Sequence, residues 1–168
     1  MARDAGTESP APVSTLAVYD CMLFFRAASR PHRVQPLFEL VDQGRVALCL
    51  SADVVAEIRD VLTRPKLLSK YPALTTQAVD SFVARYVAIA RWVDNVSEHY
   101  VLARDPKDSK YVNLAIEAGS SHLVTTDLDL LDLMEPTSTA GQDFRSRFPG
   151  LQIVTPPAFL AVVAQSSP

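Results

Sequence analysis

The sequence predicts an α/β protein of three layers, α/β/α, built on a central, mostly parallel sheet. Three observations predict it. Short apolar runs alternate with segments of helical period along the whole chain, the order expected of parallel strands joined by covering helices. Capping residues and stop glycines fall at the junctions between the two kinds of segment. Two of the apolar runs end on an aspartate, as strands do when they deliver polar groups to the carboxyl edge of an open sheet.

In chain order, Met1 to Ser14 is rich in Ala, Pro, Ser and Thr and is expected to be a disordered tail. A single domain is expected over residues 15–164. Thr15 to Tyr19 is a first buried strand, ending at Asp20. Leu23 to Ala28 is apolar. Arg26, Arg30, His32 and Arg33 then gather around Pro31 and read as a basic loop or as a solvated turn. Val34 to Asp42 has the spacing of a helix, with Val34, Leu37, Phe38 and Val41 on one face, and Gly44 stops it. Val46 to Leu50 is a second strand. Ser51 is placed to cap a helix over Ala52 to Leu62. Glu57 lies at the edge of that helix's apolar stripe, where a solvated side chain and one aimed over the strand ends are both open readings.

Pro65 and Pro72 break the next segment. Thr76 is then expected to cap a long helix whose stripe is Val79, Phe82, Val83, Tyr86, Val87 and Ala90. Trp92 to Val101 is a connection with short extended pieces, and His99 within it reads as a surface residue. Arg104 to Lys110 is a polar turn leading into a helix closed by Gly119, with Asp108 at its start. Leu123 to Thr126 is a third strand. Asp127 follows as a cap for Asp129 to Met134. Glu135 to Gly150 is expected to be a polar loop with a short helical turn at Phe144. Leu151 to Val154 is a last strand, and Thr155-Pro156 opens a last helix to Ala164.

Composition narrows the function. At 168 residues the chain can bury a core without disulfide or metal staples. No run of about 18 apolar residues is present, so no membrane-spanning helix is expected. No apolar signal segment opens the chain, which points to a cytoplasmic protein. Cys21 and Cys49 both sit in apolar runs and read as small buried thiols. The net charge of −3 argues against a protein that coats nucleic acid, but not against a nuclease whose acids bind metal.

Right-handed crossovers bring Asp20 and Asp127 to one edge of the sheet, with Glu57 and Asp108 near the starts of helices that follow such edges. Four or five carboxylates can meet there. Uncompensated, they would repel one another. An all-oxygen set of this kind suits Mg²⁺ or Mn²⁺, which keep several waters and take phosphate as a further ligand. The chemistry this implies is metal-assisted hydrolysis of a phosphodiester.

Val18-Tyr19-Asp20, Ser51 to Glu57, Arg104 to Asp108, and Val124 to Leu131 resemble, in order, the four acidic motifs of PIN-domain ribonucleases. The resemblance spans about Leu16 to Leu160 and is greatest for the toxin components of toxin–antitoxin pairs. It implies Mg²⁺ or Mn²⁺ as cofactor and an RNA substrate, with an antitoxin protein and a second copy of the chain as partners. It also implies Asp20, Glu57, Asp108 and Asp127 as metal-binding and catalytic acids, with Asp129 as a fifth. Arg26, Arg30, Arg33, Arg59, Arg64 and Lys66 are the cations expected to meet RNA phosphates near the cleft.

The sequence departs from the family pattern at two places. The first motif usually reads Asp-Thr-Asn, and here it is Asp20-Cys21-Met22. Met22 either faces the metal water, where it can donate nothing, or packs in the core beside Leu23 and Phe24. The fourth motif usually has Gly where Thr126 stands. Two rivals remain open: a PIN-like module that binds RNA or protein with weakened catalysis, and another Asp-based phosphohydrolase. Phosphatases of the haloacid-dehalogenase kind need an acid two residues after the first, and Met22 occupies that place.

Overall fold

The computed structural model describes residues 14–166. Nearly all of the expected N-terminal tail lies outside the described residues. Within them, five strands form one sheet in the order β3-β2-β1-β4-β5, and every neighbouring pair is parallel. The strands are β1 (Thr15–Tyr19), β2 (Val46–Leu50), β3 (Arg91–Trp92), β4 (His122–Val124) and β5 (Gln152–Val154). Helices flank the sheet, giving the three-layer α/β/α architecture. The edge strand β3 is a two-residue piece that begins one residue before the connection expected over Trp92 to Val101 and overlaps it at Trp92.

Between β1 and β2 lie α1 (Cys21–Ser29) and α2 (Gln35–Asp42). Between β2 and β3 lie α3 (Ala52–Leu62), α4 (Pro65–Lys70) and α5 (Thr76–Ile89). The chain then runs through α6 (Ser109–Glu117) to β4. From there α7 (Leu128–Leu131) and α8 (Thr139–Arg147) lead to β5, and α9 (Pro156–Gln165) follows. Tyr19 shows how the core closes. Its ring packs edge-on against Phe38 of α2 and Phe159 of α9, and its hydroxyl donates to the Leu37 carbonyl at 3.1 Å. Helix α6 lies against β1, β2 and β4. Gly44 and Gly119 end α2 and α6 with φ of +71° and +63°, the left-handed region that only glycine enters without strain.

Four local expectations are corrected. Arg26 lies in a helix, α1, and not in a basic loop, because Asp20 caps that helix by accepting the Leu23 N–H at 3.1 Å. Residues Thr139–Arg147 are helical, not a loop. There Ser138 caps the first turn at the Gly141 N–H, and the fully buried Phe144 anchors the one face that needs to be apolar. The cap of α5 is Thr75, one residue earlier than expected. Ser51 holds the cap position of α3, but its side chain makes no capping bond.

Candidate metal centre

The carboxyl edge of the sheet gathers the acids. β1 and β4 are adjacent, with Tyr19 opposite Val124, so the residues that follow them emerge side by side. Asp20 is buried, at 5% exposure. One of its oxygens caps α1, and the other accepts the Thr125 hydroxyl. The Thr125 oxygen in turn accepts the Asp127 N–H at 3.0 Å. One threonine therefore ties together the two loops that carry Asp20 and Asp127. Burial raises the proton affinity of Asp20, against the opposing pull of Thr125, the Leu23 and Met22 N–H groups and Arg26.

Asp127 caps α7 through the Asp129 N–H at 2.8 Å. Asp108 closes a short 3₁₀ turn, Pro106–Asp108, just before α6. Burial first, then the charges of Asp105, Asp127, Glu57 and Asp20, push the Asp108 carboxyl up to about 7. Asp20, Asp108 and Asp127 line one cleft of about 280 Å³ with Met22, Arg26, Tyr111 and Thr126. Met22 is 41% exposed, so it faces the cleft and does not pack in the core.

Glu57 reaches this wall indirectly. The buried Tyr111 donates its hydroxyl proton to Glu57 Oε2 and accepts the Cys21 N–H at 3.3 Å. Lys110 Nζ stands 3.3 Å from the same Oε2. Tyr111 and Lys110 were not among the expected site residues. Tyr111 reads as part of an apolar helix face and Lys110 as part of a polar turn. Their only signal was a place two and three residues after Asp108. Asp129 does not line the cleft: its carboxylate pairs with Arg104 at 3.4 Å, and Arg104 also pairs with Asp132.

The six expected RNA-facing cations separate in the same way. Arg26 lines the acid cleft, and Arg26 and Arg33 both line an adjoining hollow. Arg30 stacks over Tyr71 at 5.9 Å. Arg59 and Arg64 are ion-paired to Asp80 and Asp60, at 3.8 and 2.9 Å. Lys66 is exposed, with no ion pair among the described residues.

The donor set fits a hard divalent cation. Three aspartates share the cleft with Arg26 as the one cation among its lining residues. Among the described residues no three acids, histidines or cysteines are grouped closely enough to form a ready cage. An ion that keeps its own waters and takes only one or two carboxylates suits such a site. No helix among the described residues is long and apolar enough to cross a membrane.

The PIN domain family matches residues 15–129, well over half of the chain and all of the acid-bearing loops. No curated protein and no solved structure matches the chain.

Proposed function

The chain belongs to the PIN domain family, a nuclease-type fold, and on that premise we propose that it is a Mg²⁺- or Mn²⁺-dependent endoribonuclease. One observation carries this reading. Aspartates from three separate segments of the chain converge on one cleft at the carboxyl edge, and their mutual repulsion helps lift Asp108 to about 7. Such frustration is costly to keep unless a ligand relieves it.

One or two of Asp20, Asp108 and Asp127 would hold the cation directly and the remainder through its waters. Glu57, fixed by Tyr111 and Lys110, adds negative charge behind them, and Asp129 acts from the rim. A divalent ion bound there lowers the pKa of a water and offsets charge on the phosphate oxygens. Arg26, at the cleft wall, is placed to pair with the phosphate that enters. Thr125 keeps Asp20 and Asp127 in register, so their carboxylates need not reorganise when the ion binds.

The resemblance of the acid-bearing segments to the toxin branch of the family supports a place as the toxin of a toxin–antitoxin pair, with a homodimer and a cognate antitoxin as partners. Expression alone and together with candidate antitoxins, scored by growth, tests that part. Met22 in the cleft supports a second reading, a metal-binding module of weak activity. The deciding test incubates the full chain with RNA in Mn²⁺, in Mg²⁺ and in EDTA, beside Asp20→Asn. Internal cleavage that needs the metal and is lost in Asp20→Asn is expected. Cleavage that survives EDTA, or that Asp20→Asn retains, would overturn the metal mechanism. Calorimetric Mn²⁺ binding without cleavage would favour the second reading.

A further inference from the structure

Beside the acid cleft lies a second hollow of about 680 Å³, and the two share Arg26 and Thr126 as lining. It opens between the start of α2 and the start of α9. Pro36, Pro156 and Leu160 give it apolar walls, and Arg33 stands at its side. Neither Arg26 nor Arg33 has an ion-pair partner among the described residues, in contrast to Arg59, Arg64, Arg85, Arg104 and Arg147. The hollow therefore combines apolar walls with Arg33, which has no ion-pair partner among the described residues, and with Arg26, whose charge is shared with Asp20 and the acid cleft, and it is continuous with a site read as cutting a phosphodiester.

We propose that this hollow is a base-binding subsite: it takes the unstacked base of a nucleotide next to the phosphate bound at the acids, while Arg26 and Arg33 hold the intervening phosphates. The inference rests on the ribonuclease reading and adds to it where, and by what contacts, the substrate is read. Charge decides the occupant. A nucleotide brings an anionic phosphate and an apolar ring face at one short spacing, and the hollow offers the complement of each. Among the described residues no aromatic ring lines the hollow, so a base is held by burial against the apolar surface of Pro36, Pro156 and Leu160, a contact that tolerates different bases and demands only that the base be free of a duplex. An acidic peptide would satisfy the two arginines but leave the proline walls unfilled.

The test is fluorescence anisotropy with an eight-nucleotide single-stranded RNA and with the same chain carrying abasic residues. Ca²⁺ is present to neutralise the acids, and a gel confirms that the RNA stays intact. The wild type is expected to bind the intact RNA about tenfold more tightly than the abasic chain, the order of one or two base contacts. Leu160→Gln removes apolar wall without adding charge, and should cut that ratio to about twofold. Pro36→Ser, at an exposed position, should do the same and guards against a folding defect in the first variant. Arg33→Gln should weaken both probes alike and lower the log–log salt slope by about one.

A wild-type ratio near one overturns the subsite while the RNA reading stands. A ratio that both wall variants leave unchanged places the base elsewhere and overturns it as well. If neither probe binds the wild type, the ribonuclease reading itself fails, and the hollow is left to a protein partner.

Discussion

At the rim of the site, Asp129 and Asp132 share the exposed Arg104, both are half-exposed, and their charges cancel in part on the protein's own account. A short distance along the same edge, Asp20, Asp108 and Asp127 face one another across a half-enclosed cleft with Arg26 as the lining cation. The two groups are of the same residue type, and two of the acids, Asp127 and Asp129, lie in the same short stretch of chain. They differ in what balances them. Exposed ion pairs contribute little either way, about 0–1 kcal/mol. Carboxylates drawn out of water lose hydration, which raises the proton affinities of Asp20 and Asp108, and at Asp108 the charges of Asp105, Asp127, Glu57 and Asp20 add to it. The contrast teaches where to look for a function: at the acids the fold leaves unbalanced, and not at the acids it pairs.

The largest expected effect breaks this contrast from the cleft side. Asp108→Asn should weaken Mn²⁺ binding by more than about 100-fold, beyond the 10–100-fold that outer partners of a metal site usually cost. Asp132→Asn should leave it within about twofold and change stability by less than about 1 kcal/mol. Asp108→Asn should stabilise the metal-free protein, with a sign fixed by linkage. The Asp108 carboxyl rises from its ordinary 3.8 to about 7 in the folded state, so the folded chain holds this proton more tightly than the unfolded one. Its contribution therefore falls as pH rises from about 4 to about 7, and stays at its low value above that. In EDTA the Tm advantage of Asp108→Asn over wild type should be larger at pH 8 than at pH 5. Mg²⁺ should raise the wild-type Tm at pH 8 and leave the variant's nearly unmoved. Equal pH dependence in the two proteins would remove the frustration from the account.

A smaller effect sharpens the contrast by loosening a support. Tyr111→Phe removes the hydroxyl that holds Glu57 Oε2 and accepts the Cys21 N–H, one of the free first-turn donors of α1. The two lost hydrogen bonds should lower stability by about 2 kcal/mol, about 1 kcal/mol each. Metal affinity should fall by about tenfold, the low end for a residue that orients a site. Calorimetry and melting separate the two. A Tm loss with unchanged Mn²⁺ affinity would make Tyr111 a packing residue only.

Four of the five strands were legible because they are short, apolar and bounded by caps and glycines, whereas β3, the exposed pair Arg91–Trp92, carries no such pattern. Asp20 and Asp127 were legible as residues that follow adjacent strands. Two things were hidden by the averaging of sequence patterns. The helix α8 carries one buried anchor, Phe144, and is otherwise polar, so its period is faint. The start of α1 was hidden because its cap is Asp20, a residue that also belongs to the site. The cation-paired state of Asp129 could not be read at all, because Arg104 lies 25 residues away in sequence. The Glu57–Tyr111 bond spans 54 residues and was equally invisible. Local chemistry shows which groups a strand or helix presents. Only the tertiary structure shows which of them have found partners.

The smallest expected effect lies at Met22, where the cleft meets solvent. Two sequence readings competed there: a core residue beside Leu23 and Phe24, and a neighbour of the reacting water. Leu23 and Phe24 are buried, but Met22 is 41% exposed and lines the cleft. An asparagine at this position would have its amide in water or in the site, so no unpaired polar group is buried. Met22→Asn should therefore leave Tm within about 1 °C, as surface substitutions change stability by less than about 0.5 kcal/mol. The carboxylates carry the charge, so Mn²⁺ affinity should also stay within about twofold. A thioether offers a hard cation and its waters almost nothing, whereas an amide can hold a water by donating or accepting. Cleavage should rise by a few-fold up to about tenfold, the lower part of what better positioning supplies. The variant differs from every other one here in being expected to gain activity, so loss of fold cannot imitate the result. A rate equal to wild type, with Tm and affinity also unchanged, would mean that Met22 borders the cleft without touching the water that reacts.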